Sequence, residues 1–415
     1  MVTPSSHNDS NSVANADKTT PNSTATEPTV KPDPQSGDQS QSPSLGQSWL
    51  YAGGSLIAIY GLFASIDLLN IGFQFILGPE AKALLTLAAN PWLGVLLGIL
   101  ATALVQSSSI VTTLLVGLVA GGLSLTTAIP IVMGANLGTT ITNTLVSLGY
   151  IGEDEEFERG FAAATIHDCF NLVALFIFFP LELWLHPLER LSHWLLNQSP
   201  ELAFIPETFI SPVGWLLQPV RWLFIYGVNT LSGPWDSLLL FSGSVGGLIV
   251  SVTALGWLLK RWLDEPARNA IYWVMGHGSG LGGLATGAGI TAFVQSSSMT
   301  TSLMIPLAGA GMVTLQDVYP FVLGANIGTC ITALLATLAV NSPVALQLAL
   351  VHLSYNLLAV VLIYGLPLLR AVPLTLAKKI AATTRQYRLL AVVYVVSVFF
   401  LLPFLGLWLS SIFVA

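Results

Sequence analysis

Two short runs of polar side chains stand inside apolar surroundings: Gln106, Ser107, Ser108 and Ser109, and again Gln295, Ser296, Ser297 and Ser298. Three successive hydroxyls offer rotatable donors to a tetrahedral oxyanion, and their oxygens can also face a cation. The flanking limbs, Pro91 to Val105 and Ile110 to Ala120, then Leu281 to Val294 and Met299 to Ala310, are each too short to cross a bilayer as a helix. Each pair reads as a re-entrant hairpin with a polar tip, which lipid tolerates only where protein or a wet cavity satisfies the tip's backbone. A helix that begins in mid-membrane leaves its first N–H groups unpaired and carries partial positive charge there, so an anion finds fixed donors at low dielectric. The plain alternative is serine bonding a carbonyl one turn back or easing helix packing. Two such runs at matching places favour the anion site.

Beyond each tip lies a second element, Gly134-Ala-Asn-Leu-Gly-Thr139 and Gly324-Ala-Asn-Ile-Gly-Thr329. Glycines around Asn136 and Asn326 let the backbone unwind or approach closely and expose carbonyl oxygens beside an amide, a donor set that suits sodium; small-residue packing is the alternative. Asn136, Thr140 and Asn143 share a helical face, whereas the second half offers Asn326, Cys330 and Ala333 there. Only two acids, Asp67 and Asp168, sit well inside apolar segments, and no Lys or Arg stands at the centre of one. An intramembrane carboxylate without a basic partner is costly unless it is protonated or meets a cation. An anion crossing this core must therefore travel with mobile positive charge. The candidate sodium ligands are Asn136, Thr139, Thr140, Asp168, Asn326 and Thr329. Asp67 reads equally well as a packing carboxylate bonded to Ser or Asn. His167 with Asn171, and His352 with Asn356, are each four apart on one face and are placed behind the site as supports. Gly-x-Ser-x-Gly and Walker patterns are missing, so neither an enzyme nor a cofactor is expected.

These side chains need a frame of membrane helices, and the composition supplies one. Of 415 residues 53% are apolar and 8% charged, against roughly 25% charged in a soluble domain, and the mean hydropathy is +0.74. A net charge of −7 with no basic block excludes nucleic acid as a partner. The lone cysteines, Cys169 and Cys330, lie in apolar segments, so no disulfide framework is expected. Full spans are expected at Leu50 to Leu77, Leu125 to Gly149, Gly160 to Pro180, Leu238 to Leu259, Leu315 to Val340, Pro343 to Leu366 and Leu389 to Ile412. The acidic run from Glu153 to Glu158 reads as a solvated loop face.

The serine runs, the glycine–asparagine elements and the His-Asn pairs all recur in one order about 190 residues later. Three full spans in the first half are an odd number, so the second half starts from the opposite face. The expected architecture is an all-α polytopic membrane protein of two inverted-topology repeats, each with a re-entrant helical hairpin, and seven full spans. Residues 1–48, without an aromatic, form a disordered cytoplasmic tail; 49–181 are the first repeat; 182–237 an external connection; 238–369 the second repeat; 370–388 a basic cytoplasmic loop; 389–415 a final span. Val213 to Val228, apolar but short and interrupted by Pro219 and Arg221, reads as an interfacial helix on the surface. With the tail inside, nine of the twelve basic residues beyond it fall on the cytoplasmic side of the cell membrane, leaving Lys82, Arg190 and Arg221 outside.

The paired Gln-Ser-Ser-Ser tips, the run Ile129-Pro-Ile-Val-Met-Gly-Ala-Asn-Leu-Gly-Thr-Thr-Ile-Thr-Asn143, the run Ala163-Ala-Thr-Ile-His-Asp-Cys-Phe-Asn171 and Gly324-Ala-Asn-Ile-Gly-Thr329 resemble the type II sodium-phosphate cotransporter family. The likeness covers nearly everything from residue 85 to 180 and from 285 to 366. It implies sodium-driven uptake of inorganic phosphate, with Gln106, Ser107 to Ser109, Gln295 and Ser296 to Ser298 lining the phosphate and sodium sites and Asp168 as a sodium ligand. Departures are Leu353 where the first repeat has Asp168, and a connection without the cysteines of animal members, so the chain resembles the compact bacterial ones. The partners implied are phosphate, Na+ and the lipid bilayer; a homo-oligomer is allowed but nothing calls for one. The rivals are a proton- or sodium-coupled carrier of another oxyanion, and a non-transporting phosphate sensor of the same fold.

Overall fold

The computed structural model describes residues 44–76, 90–150, 152, 154–198, 212–229, 235–277, 280–340 and 342–414. The expected tail up to residue 43, and Lys82, lie outside the described residues. Among those described there are helices and no strand. In chain order they are α1 Leu45–Ile76, α2 Pro91–Val105, α3 Ser108–Ala120, α4 Leu125–Gly138, α5 Ile141–Ser147, α6 Asp154–Leu185, α7 Pro187–Gln198, α8 Pro212–Asn229 and α9 Trp235–His277. The second half continues with α10 Gly280–Val294, α11 Ser297–Ser302, α12 Met304–Gly309, α13 Leu315–Thr337, α14 Pro343–Ala359, α15 Pro367–Gln386, α16 Leu389–Val396 and α17 Leu402–Val414. Six stretches are long and apolar enough to cross a membrane: Gly46–Gly72, Asp154–Leu185, Leu239–Trp262, Leu315–Thr337, Pro343–Tyr364 and Leu389–Ser410. The chain is an all-α, multi-pass membrane protein.

The seventh expected span, Leu125 to Gly149, is not one helix. It breaks at Thr139 and Thr140 between α4 and α5. The cause is local: the Thr139 hydroxyl donates to the Ala135 carbonyl (3.0 Å) and the Thr140 hydroxyl to that of Leu137 (2.8 Å), supplying alternatives to the helical ladder. In the second half the same stretch stays helical as α13, so the backbone does not unwind at Asn326. The second hairpin's outgoing limb is instead divided, α11 ending at Ser302 and α12 starting at Met304.

Glycine sets how the helices approach. A methyl group on Gly98 of α2 would lie 2.1 Å from the Ile131 carbonyl oxygen, and one on Gly134 of α4 would lie 2.1 Å from that of Val95. In the second half Gly287 of α10 stands in the same relation to Phe321 (2.0 Å), and Gly324 of α13 to Leu284 (1.9 Å). The incoming limb of each hairpin is thus pressed backbone to backbone against the helix that carries the Asn. Helices α1 and α9 meet reciprocally, Gly61 under Ser251 and Gly247 under Ser65. Each half then reaches into the other: α6 packs on α12 and α13, while α14 packs on α3 and α4.

Two readings of acidic residues are corrected. The helix at 213–228, α8, packs on α1, Tyr60 donating to the Leu216 carbonyl (3.2 Å) and Arg221 forming a two-pronged ion pair with Asp67. Asp67, 1% exposed, therefore has a basic partner, brought from a distant helix. The acidic run is not a loop. From Asp154 it is the first turn of α6, where carboxylates suit the helix dipole, and it is ion-paired: Glu155 with Arg159, Glu158 with Arg385 of α15 (2.6 Å) and Asp154 with Arg388. Replacing Asp67 by Ala leaves a half-buried guanidinium without its partner, and thermal unfolding of the purified protein should show a loss of about 1–3 kcal/mol, the range for a broken pair discounted for partial exposure. Adding Arg221→Leu should recover part of that loss.

Candidate functional site

Both serine tips adopt one conformation. Gln106 and Gln295 are left-handed, at φ 56° and 59°, a region costly for a side-chain-bearing residue and typical of sites whose surroundings hold it in place. Ser107 and Ser296 follow in extended conformation, at φ −153° and −148°. Each caps the next helix, Ser107 Oγ accepting from Ile110 N (3.4 Å) and Ser296 Oγ from Met299 N (3.3 Å). Each third serine reaches out: Ser109 donates to the Gln295 carbonyl (3.3 Å), so the tips touch, and Ser298 donates to the Thr139 carbonyl at the break after α4 (3.4 Å). The middle serines, Ser108 and Ser297, are 2% and 3% exposed, and neither hydroxyl has a hydrogen-bond partner among the described residues. The three serines of a tip thus divide the work into cap, cross-link and open donor. The tips differ also in exposure, Gln106 being exposed and Gln295 buried.

The asparagines and histidines join the halves. Asn136 donates to Asn356 Oδ1 (2.9 Å) and accepts from His352 Nε2 (3.0 Å). Reciprocally, Asn326 donates to Asn171 Oδ1 (2.8 Å) and accepts from His167 Nε2 (2.6 Å). Asn171 closes the chain by donating to the Asn136 carbonyl (2.8 Å). Each half's Asn is gripped by the other half's His-Asn pair. Because both asparagine amides donate elsewhere, their oxygens accept, and both imidazoles carry the proton on Nε2. Two of the expected sodium ligands, Asn136 and Asn326, are thus hydrogen-bonded to the expected supports His167, Asn171, His352 and Asn356. Thr329 bonds back to the Ala325 carbonyl (2.9 Å).

Asp168 stands apart from this lattice. It is 3% exposed, with no basic group against it among the described residues; Oδ2 accepts from the Tyr394 hydroxyl (2.7 Å) and from Thr144 (3.3 Å), Thr140 lies beside the carboxylate, and Oδ1 has no partner among the described residues. Tyr394, on α16, was not among the candidates, for nothing in its spacing marks it. Asn143 and Thr301 also form a pair across the halves (2.7 Å), of which only Asn143 was legible as part of a polar face. Thr102 and Thr291, fully buried at equivalent points of the two hairpins, leave their hydroxyls unpartnered.

A sequence profile for the family described as Na+/Pi-cotransporter matches residues 62–189 and 248–401. The chain is 32% identical to sodium-dependent phosphate transport protein 2A of Rattus norvegicus, over 91% of this chain and 71% of that protein. It is 30% identical to sodium-dependent phosphate transport protein 2B of Homo sapiens, over 83% of this chain and 63% of that one. No solved structure matches it. The profile runs to residue 401 and so takes in Tyr394 and the first part of the last span, Leu389–Ser410.

Proposed function

The chain belongs to the Na+/Pi-cotransporter family, and from that membership we propose that it imports inorganic phosphate with sodium across the cell membrane, exposing the touching tips alternately to either side. The observation that carries the reading is the pair of open hydroxyls, Ser108 and Ser297, each beside the free N–H groups that begin a helix next to a preformed left-handed turn. Phosphate takes hydrogen bonds from these hydroxyls and backbone amides, with the Gln106 and Gln295 side chains at its rim. Ser107 and Ser296 hold the turns; Ser109 and Ser298 hold the tips to each other and to Thr139.

Sodium enters where the fold concentrates oxygen without fixed positive charge. Asp168, with Thr140 beside it, supplies the carboxylate, and the break at Thr139 supplies main-chain oxygens. The anion is disfavoured until the cations arrive, which orders binding. Asn136 and Asn326 keep the two halves registered while this happens. The N-terminal side is cytoplasmic, in line with the bias of basic residues.

Uptake of radiolabelled phosphate into proteoliposomes tests the reading. Replacing sodium by choline at fixed pH should abolish it, and persistent uptake would refute sodium coupling. Competition by sulfate or arsenate separates a general oxyanion carrier, and phosphate binding without flux identifies a sensor. Ser108→Ala and Ser297→Ala should each cut uptake by roughly tenfold or more at normal expression, the loss of one donor to a charged ligand. Ser107→Ala and Ser296→Ala remove caps and should lower thermal stability by about 1 kcal/mol. If both middle-serine variants transport normally, those hydroxyls serve packing alone.

A further inference from the structure

We propose that Tyr394, on the final span, is a positioning residue for the coupling cation: its hydroxyl pins one oxygen of the Asp168 carboxylate so that the other is left for the ion. The inference rests on Asp168 being the sodium carboxylate. It asks what makes one carboxylate, present in only one half, into a defined site.

Four observations converge on this residue. The phenol donates to Asp168 Oδ2 at 2.7 Å, while Oδ1 is buried with no partner among the described residues. A buried carboxylate oxygen without a donor is costly unless a ligand completes it. The groups that face the carboxylate are hydroxyls, those of Thr140, Thr144 and Tyr394, and the adjacent His167 turns its Nε2 to Asn326. Among the described residues no fixed cation is paired with Asp168.

The ring is also held. Tyr394 packs edge-on against Phe161 of α6 (centroids 6.4 Å apart) and against Phe399 (6.3 Å), so the hydroxyl is aimed by its neighbours rather than by the hydrogen bond alone. The helix carrying it changes form just beyond, with a π-helical turn at Ser397–Leu401. Such a turn inserts a residue and rotates the faces on either side, and it recurs at functional sites. The second half has Leu353 in place of the carboxylate. The fold therefore brings a residue from outside the duplicated segments to the one half that holds the acid.

A hydrogen bond to a carboxylate both favours its charged form and fixes its plane. Without the phenol the carboxylate is free to turn toward the threonines, and the ion must order it at its own expense. Tyr394→Phe keeps the ring and its aromatic contacts and removes only the donor.

In proteoliposomes, Tyr394→Phe should raise the sodium concentration for half-maximal phosphate uptake by roughly tenfold, the factor one charge-assisted hydrogen bond supports. The maximal rate at saturating sodium should stay near wild type. A packing role would lower the maximal rate with sodium dependence unaltered, and that result overturns the proposal. Asp168→Asn and the double variant complete a cycle: once Asp168 is Asn, Tyr394→Phe should cause no further shift, and independent, additive shifts also overturn it. An independent readout is the rise in unfolding temperature that sodium confers on the purified full chain, which should shrink in Tyr394→Phe. Sodium activation unchanged in Asp168→Asn would refute the sodium carboxylate itself; a shift in Asp168→Asn with none in Tyr394→Phe refutes only the role of the tyrosine.

Discussion

Gly324→Ala should yield almost no folded protein. The added methyl would sit 1.9 Å from the Leu284 carbonyl oxygen and 2.8 Å from the Ala288 nitrogen, and both are backbone atoms that no rotamer change can move aside. Helices α10 and α13 would have to separate by more than an ångström along their whole contact. Overpacking of a tight interior commonly costs about 1–3 kcal/mol even where side chains can yield, and here none can, so a loss above about 3 kcal/mol is expected. Gly134→Ala should behave alike through the Val95 carbonyl at 2.1 Å. The measurement is the monodisperse fraction on gel filtration after detergent extraction, with thermal unfolding of whatever remains. Gly289→Ala is the control, because nothing lies within 4 Å of its Cβ position; it should match wild type. Equal yields for Gly324→Ala and Gly289→Ala would mean that the close approach is not needed.

Asn136→Leu should give the second large effect, by a different route. The volume is nearly kept, but Asn356 Oδ1 loses its donor and His352 Nε2–H its acceptor. Each buried group left unpaired costs about 1–3 kcal/mol, so about 2–6 kcal/mol should disappear from thermal stability, and uptake per folded molecule should fall as the halves lose register. His352→Leu provides the comparison. It orphans the Asn136 oxygen alone and removes an imidazole whose Nδ1 already lacks a partner, so its cost should be clearly smaller. Equal losses in the two variants would contradict the network as drawn.

Much of this arrangement was legible beforehand because it is written twice. A Gln-Ser-Ser-Ser run between short apolar limbs, met at two places, marks both tips, and the tips indeed share one backbone conformation. Apolar length places the spans, since crossing hydrocarbon demands about 20 residues whatever their order. What could not be read depends on which helices become neighbours. Asp67 looked unpartnered because Arg221 lies 154 residues away in a segment too short to span; Tyr394 was missed because one tyrosine in an apolar run carries no periodicity. The glycines pointed to close approach or to unwinding, and local sequence could not choose between them. Backbone contact is the outcome at Gly134 and Gly324, with a break only where Thr139 and Thr140 compete for carbonyls. For Asn136 and Asn326, side-chain type suggested an ion ligand, while the hydrogen bonds they make across the two halves depend on which helices become neighbours.

The reciprocal grip of the asparagines bears on how the molecule is made. During synthesis the first half enters the bilayer with Asn136, His167 and Asn171 complete in sequence, yet the groups that satisfy them, Asn326, His352 and Asn356, are still to be translated. Until then the Asn136 amide and the His167 imidazole lack these partners, while Asn171 can already donate to the Asn136 carbonyl within the first half. Locking of the two halves is thus a late event that waits for Asn326 of α13 and for His352 and Asn356 of α14.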